Sequence, residues 1–351
     1  AAQAGLQQLL DLVALGTVAD LVKLDRNNRA LVDAGLKRMR EGKSQAGIKA
    51  LMSVSGRHAP QLEVADLGFA IGPRINAAGR LKDISLGIEC LLTDDANEAE
   101  RLARELDAIN RERQRMQADM QQQALEALPT LAAEGPSLVV FSDSWHEGIV
   151  GLLASKLKDQ FHRPTLALAP SADPQLLRGS GRSMPGLHLR DALDWVSKQS
   201  PAILVRFGGH AMAAGFTIRR ESLKAFDILF ARAVSAMTDP EQLEPIVWTD
   251  GSLDPSWLRE DWIQSIQEAI WGQGFPAPLF QDQFEVMSQH SLADKHLKVR
   301  LQAEQGHKLD GIAFGRREPF ERRIRAAYRL QLNRWQGRQS LQCVLEHVEA
   351  L

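Results

Sequence analysis

Residues 137–170 read SLVVFSDSWHEGIVGLLASKLKDQFHRPTLALAP, and this stretch decides the fold class. The run at 137–141 is short and continuously apolar, as a buried strand is, and 164–170 is a second such run. The apolar pattern over 148–160 predicts a helix between them. Strand–helix–strand alternation predicts an α/β domain. Trp145-His146-Glu147-Gly148 follows the first strand and opens the helix, the usual ligand position in an α/β sheet. His146 is therefore a candidate ligand-binding residue, although a surface histidine beside a helix cap would read the same way.

Further along the same domain, helices are expected at 188–198 and near 221–236. Two segments rich in small residues lie among them. In Gly179-Ser180-Gly181-Arg182-Ser183 the glycines let backbone approach a ligand, Ser180 offers a hydroxyl, and Arg182 a planar fork for phosphate oxygens. No lysine stands in P-loop register, so this is not a nucleotide-hydrolysing loop. A glycine-rich strand bend is the competing reading. Gly208-Gly209-His210 followed by Ala211-Met212-Ala213-Ala214-Gly215 predicts a tight turn into a closely packed helix, holding His210 where it can donate to phosphate. A purely structural histidine fits the same letters.

On the N-terminal side, residues 6–20 predict a buried helix ending on Asp20. A second amphipathic stretch, 28–40, places Leu31, Leu36 and Met39 on one side. Glycine and proline interrupt the helical pattern at GPRINAAGR, 72–80. There Arg74 and Arg80, with Asn76 between them, stand among small residues, as a phosphate-tracking groove needs; salt bridges to nearby acids are the alternative. A carboxylate such as Asp20, closing an apolar helix, is costly unless paired, capped or metal-bound. From about 97 to 128 one uninterrupted pattern predicts a helix roughly 48 Å long, suited to connecting domains. Arg113 interrupts its apolar stripe.

The last hundred or so residues change character. A tryptophan-rich helical stretch over 256–270 precedes the alternating runs FEVMS, HLKVRLQA, DGIAF, IRAAYRLQLN and SLQCVLEHV, which predict a small antiparallel barrel or sandwich. Eight arginines and two acids fall between Arg316 and Arg338, with Tyr328 and Trp335 interleaved. Basic residues to follow a backbone and aromatic faces for bases are the ingredients of a single-strand-binding barrel. The chain as a whole, 351 residues with 44% hydrophobic and 25% charged residues, carries a net charge of only −2. That average argues neither for nor against nucleic acid, so charge is read by segment. Cys90 and Cys343, the only cysteines, form no C-x-x-C pair, which excludes a disulfide framework or a cysteine zinc site and suits a reducing cytoplasm. No apolar run approaches the roughly 20 residues of a membrane span.

Taken together and in order, DLVALGTVADLVKLD (11–25), DLGFAIGPRINAAGRL (66–81), WHEGIVGLLASKLKDQFHRP (145–164), GSGRS and FGGHAMAAGF (207–216) resemble the RecJ family of DHH-type phosphoesterases. The resemblance covers essentially the whole chain. It implies an α/β fold in four parts: the end of a DHH domain (1–95), a long connector helix (96–135), an α/β DHH-associated domain (136–238) and a β-barrel (OB-fold) domain (244–351). By resemblance, Asp20 is the last ligand of a two-metal site for Mn²⁺ or Mg²⁺ whose other ligands lie largely outside this segment. Arg74, Asn76 and Arg80 would contact the DNA backbone. Ser180, Arg182, Gly208, Gly209 and His210 would hold phosphate near the 5′ end, with His146 in the same cleft and Trp335 stacking on a base. The activity implied is 5′-to-3′ hydrolysis of single-stranded DNA to mononucleotides in repair and recombination, by a cytoplasmic monomer. Its expected partners are single-stranded DNA, single-strand-binding protein and a RecQ-type helicase.

One departure is large: Asp-His-His occurs nowhere in the chain. One carboxylate cannot hold two hard cations, so this segment alone is expected to be inactive. Three other readings stand beside this one. They are a non-catalytic single-strand-binding scaffold of the same fold, a smaller DHH-type phosphodiesterase, and the G-G-H editing-associated domain of alanyl-tRNA synthetases. The basic module argues against the second, and the lack of a synthetase core against the third.

Overall fold

The computed structural model describes residues 2–128, 135–239, 244–335 and 338–351, with side chains at all of these except 2–4, 334, 335 and 338. The chain divides into two units, residues 1–72 with 246–351 and residues 73–245.

The first unit opens with α1 (Ala2–Gln7) and α2 (Leu10–Ala19), so the single helix expected over 6–20 is two. Nor is the segment buried throughout: Ala14 and Leu15 are, whereas Leu6, Leu9 and Val13 are exposed. Its sequence is apolar on every side, but α3 (Arg26–Arg40) covers only one of them. Asp25 caps α3 by accepting the Asn28 N–H at 2.9 Å. Val32, Leu36 and Met39 form the buried stripe; Leu31, expected on it, points outward. After α4 (Ala46–Val54), α5 (Val64–Asp66) runs through a π-helical turn, Leu67–Ile71, into α6 (Gly72–Leu81). GPRINAAGR therefore forms a helix instead of breaking one. A proline inside a helix lacks an N–H and crowds the carbonyl one turn back, and the widened π turn before it accommodates Pro73 at the start of α6.

In the second unit α6 is followed by α7 (Ser85–Leu92) and α8 (Ala96–Ala127). Asp95 caps α8, accepting from the Asn97 and Glu98 N–H groups at 2.8 and 3.3 Å. The helix runs for 32 residues and buries Leu102, Leu106, Ile109 and Met120 along one stripe, as its periodicity requires. Then come β1 (Leu138–Phe141), α9 (Val150–Phe161), β2 (Thr165–Pro170), β3 (Leu176–Arg182), α10 (Leu189–Gln199), β4 (Leu204–Gly209), β5 (Ala213–Arg219) and α11 (Leu223–Met237). The five strands form one sheet in the order β1-β2-β3-β5-β4. Only β1 and β2 run parallel; the other pairs are antiparallel. GGHAMAAG is thus the turn of the β4–β5 hairpin and its flanks, and no helix follows it.

The two faces of this sheet are unequally covered. α10 and α11 pack on one, over Leu177, Phe216 and Ile218. On the other, α9 and the C-terminal half of α8 bury Val140, Ala167 and Ala169 of β1 and β2. Beyond β3 on that side, Gly215 of β5 and Arg206 and Gly208 of β4 are exposed.

The first unit closes with α12 (Glu260–Glu268) and a closed barrel, in the order β10-β8-β7-β6-β9, of β6 (Phe280–Leu292), β7 (His296–Ala303), β8 (Lys308–Ala313), β9 (Arg323–Trp335) and β10 (Arg338–Ala350). Each alternating run read from the sequence is one of these strands. Tyr328, expected to be available for stacking, is fully buried beside Phe280 and Phe284, and its hydroxyl donates to Asp282 at 2.7 Å. Burial and the neighbouring carboxylate push the Tyr328 phenol well above its ordinary pKa. Four of the eight arginines face a glutamate: Arg322 pairs with Glu285, Arg323 with Glu304, Arg325 with Glu349 and Arg329 with Glu346. No helix among the described residues is long and apolar enough to cross a membrane.

Candidate phosphate-binding site

Three arginines converge in the second unit: Arg80 near the end of α6, Arg113 on α8 and Arg182 at the end of β3. All three are partly buried, and desolvation lowers each guanidinium from its usual range. Arg80 lies close enough to Arg113 and Arg182 to lower both further by repulsion. Among the described residues no carboxylate pairs with any of them. Their contacts are neutral instead. Arg80 donates to the Gly148 carbonyl at 3.3 Å, and Arg113 to Asn110 and Gln117 at 2.6 and 2.9 Å. Arg182 donates to Ser180 Oγ at 3.1 Å and to its neighbour's carbonyl at 2.8 Å. Partly desolvated like charges with no counter-ion are unfavourable, and a bound anion is what relieves them.

The first turn of α9 is pressed against this cluster. A Cβ on Gly148 would stand 2.2 Å from the Arg80 carbonyl oxygen, and one on Gly151 would stand 2.9 Å from Ser180 Oγ and 3.1 Å from Arg182 Nη2. At 148 the backbone contact requires glycine, and at 151 a side chain would displace the ends of Ser180 and Arg182. His146 shapes the turn, its Nδ1 accepting the Gly148 N–H at 3.0 Å. That bond leaves any ring proton of the neutral form on Nε2. The start of a twelve-residue helix, where the Val150 and Gly151 N–H groups precede the first intrahelical bonds, therefore borders the arginines.

Strand register orders the rest. Ser180 and Arg182, two apart on β3, share a face. Ser180 stands opposite Gly215, and Gly215 opposite Gly208, so this row is bare beyond the serine. Arg182 stands opposite Ala213, whose carbonyl accepts the His210 N–H at 2.8 Å. His210, exposed, is therefore two strands from Arg182 on the same sheet, about 10 Å across. Gly209 packs against Ala214 in the adjacent row.

Other expected site residues lie apart. Arg74 is committed to Asp107, with Nε at 2.9 Å and Nη2 at 2.8 Å, and Arg111 binds the second oxygen of the same carboxylate at 2.7 Å. Its charge is thus compensated where that of Arg80 is not. Asn76, exposed, is one helical turn before Arg80. Asp20 belongs to the first unit, where it is the exposed C-cap of α2. Among the described residues no group of three or more His, Cys, Asp or Glu could hold a metal ion, so the residues present do not fit a metal pair. Trp335 ends β9, and its side chain lies outside the described residues. Arg113 was not singled out as a site residue from the sequence, although an arginine in the apolar stripe of a long helix was a visible signal.

The second unit thus joins an α/β sheet to a cluster of three arginines that no carboxylate pairs with among the described residues, and the first unit carries a closed five-stranded barrel. Residues 134–236 match the family model of the DHHA1 domain, and 249–347 that of the RecJ OB domain. The chain belongs to the RecJ family. It is 45% identical over 99% of its length to the single-stranded-DNA-specific exonuclease RecJ of Dickeya dadantii, and 44% identical over 98% to that of Escherichia coli. It spans 62% and 61% of those two proteins. The crystal structure of RecJ from Thermus thermophilus in complex with Mg²⁺ superposes with a TM-score of 0.84 at 28% identity, covering 98% of this chain and 52% of that one.

Proposed function

We propose that this chain is the phosphate- and strand-holding portion of a single-strand-specific DNA exonuclease that removes 5′-mononucleotides in repair and recombination. The observation that carries the proposal is the convergence of Arg80, Arg113 and Arg182 without an acid, beside Ser180 and the start of α9. A terminal phosphate brings the negative charge that this cluster lacks, and the planar forks of three arginines match its oxygens. To the barrel we assign a separate contact with single-stranded DNA. The names of the relatives, single-stranded-DNA-specific exonucleases, agree with this reading.

Hydrolysis itself is assigned to divalent metal, Mg²⁺ or Mn²⁺, as in the complexes of the Thermus protein. Asp20 offers one carboxylate to such a site, and the remaining ligands are assigned outside this chain. Incubated with Mn²⁺ and 5′-phosphorylated single strands, the chain alone is expected to bind without turnover. Single-strand-binding protein and a RecQ-type helicase are the partners we assign to the whole enzyme, a cytoplasmic monomer.

The test is a fluorescence-anisotropy titration with a 3′-labelled twelve-residue oligo(dT) carrying either a 5′-phosphate or a 5′-hydroxyl. The parent is expected to prefer the phosphate, and Arg182→Ala to lose that preference, a change of about 1.5–3 kcal/mol for one charged hydrogen-bonding group. Equal affinity of the parent for the two ends would overturn the proposal.

A further inference from the structure

Further along the open face of the same sheet stands a second pair of arginines. Arg178 on β3 is opposite Thr217 on β5, and Thr217 is opposite Arg206 on β4. This row lies two residues along β3 from Ser180, about 7 Å. Between it and the row of Arg182 is the bare row of Gly215 and Gly208, where a Cβ on Gly208 would meet nothing within 4 Å. A cavity of about 260 Å³ occupies this place, with Arg178, Arg206, Thr217, Gly208 and Gly215 in its lining. Arg206 is oriented by Thr217, Nε donating to the buried Oγ1 at 3.2 Å, and among the described residues no carboxylate pairs with it. Arg178 has one exposed partner, Glu147 at 3.2 Å.

A cavity lined by two arginines and the bare Gly208 and Gly215 suits an anion continuous with one held at Ser180 and Arg182. We infer that Arg178 and Arg206 form a second phosphate subsite, joined to the first across the bare Gly208–Gly215 row. This rests on the reading of Ser180 and Arg182 as the holder of a terminal phosphate. The shared chemistry is phosphate, from one of two sources: a further internucleotide phosphate of the strand, or the outer phosphates of a polyphosphorylated 5′ end.

The experiment uses the whole chain and 3′-labelled oligo(dT) bearing a 5′-hydroxyl, 5′-monophosphate or 5′-triphosphate. Two variants probe the subsite in different ways. Arg206→Gln removes the charge, and Gly208→Val fills the floor without changing charge. Both positions are exposed, so the fold tolerates the changes, which thermal melting checks. Each variant is expected to weaken binding by on the order of tenfold, the scale of one charged contact. Loss confined to the triphosphate identifies a polyphosphorylated end, and equal loss on all three identifies an internucleotide phosphate. Parent-like binding of all three ends by both variants would overturn the subsite. So would loss in Arg206→Gln alone, because bulk charge then explains it. Arg182→Ala, run in parallel, separates the two readings: if it still distinguishes monophosphate from hydroxyl, the terminal-phosphate reading fails whatever Arg206 does.

Discussion

Arg182 donates to Ser180 Oγ at 3.1 Å, and the pair is held against the first turn of α9 by the absence of a side chain at Gly151. Ser180 and Arg182 are thereby placed directly beside the start of α9.

Gly151→Ala tests that placement. The new methyl would crowd Ser180 Oγ and Arg182 Nη2, both ends of side chains that can move. The stability cost should therefore stay near the low end of overpacking, about 1 kcal/mol in a urea melt. Affinity for a 5′-phosphate should fall much more, because the two groups are pushed from their common focus. A variant that binds phosphate as the parent does would mean the α9 contact is packing alone.

Arg113→Leu should separate stability from binding. Leucine restores the apolar stripe of α8 and removes one of three mutually repelling charges but also the donor to buried Asn110, so stability without ligand should change by no more than about 1 kcal/mol. Binding of 5′-phosphorylated single strands should weaken in the same protein. A fall in stability beyond that would show Arg113 to be a structural residue.

Ionic strength offers a count of contacts. Each neutralised phosphate contributes about −0.7 to the slope of log K against log salt for single strands. Arg182→Ala should flatten the slope by roughly that amount on a 5′-phosphorylated strand. In the barrel, Arg322, Arg323, Arg325 and Arg329 already face glutamates, so Arg325→Ala should change the slope less. Trp335→Ala should cost about 1–3 kcal/mol of binding, with little change in slope, if its ring carries a base.

Tyr328 carries the barrel core and not the strand. Its hydroxyl and that of Ser252 both donate to Asp282. Tyr328→Phe leaves that carboxylate short of a buried donor and should destabilise the protein by about 1–3 kcal/mol in thermal or urea unfolding. Affinity for DNA, measured well below the melting temperature, should be unchanged.

Local periodicity made much of the fold legible, and non-local pairing accounts for what was missed. The stripe of α8, the strand–helix–strand start of the second unit and the alternating barrel strands each announce themselves within a window of residues. The β4–β5 hairpin did not, because Ala211 to Gly215, small apart from Met212, carry no period. Ala213 and Gly215 lie on the open side of the sheet, whereas Ala214 packs into the core beneath α10 and α11. The helix at 72–80 was hidden by Pro73, since a π turn leaves no mark in composition. Ser180 and Arg182 were readable from glycine context, and Arg80 from its own. The partner that removes Arg74 from the cluster, Asp107, is 33 residues away on another helix. The glutamates that neutralise the barrel arginines come from neighbouring strands and a turn, so a count along one segment overstates its charge.

A crystal structure of this chain with a 5′-phosphorylated tetranucleotide bears most directly on the central claim. The terminal phosphate is expected among Arg80, Arg113 and Arg182, within hydrogen-bonding distance of Ser180. A strand bound only along the barrel, with its 5′-phosphate in solvent and those arginines unchanged, would contradict it.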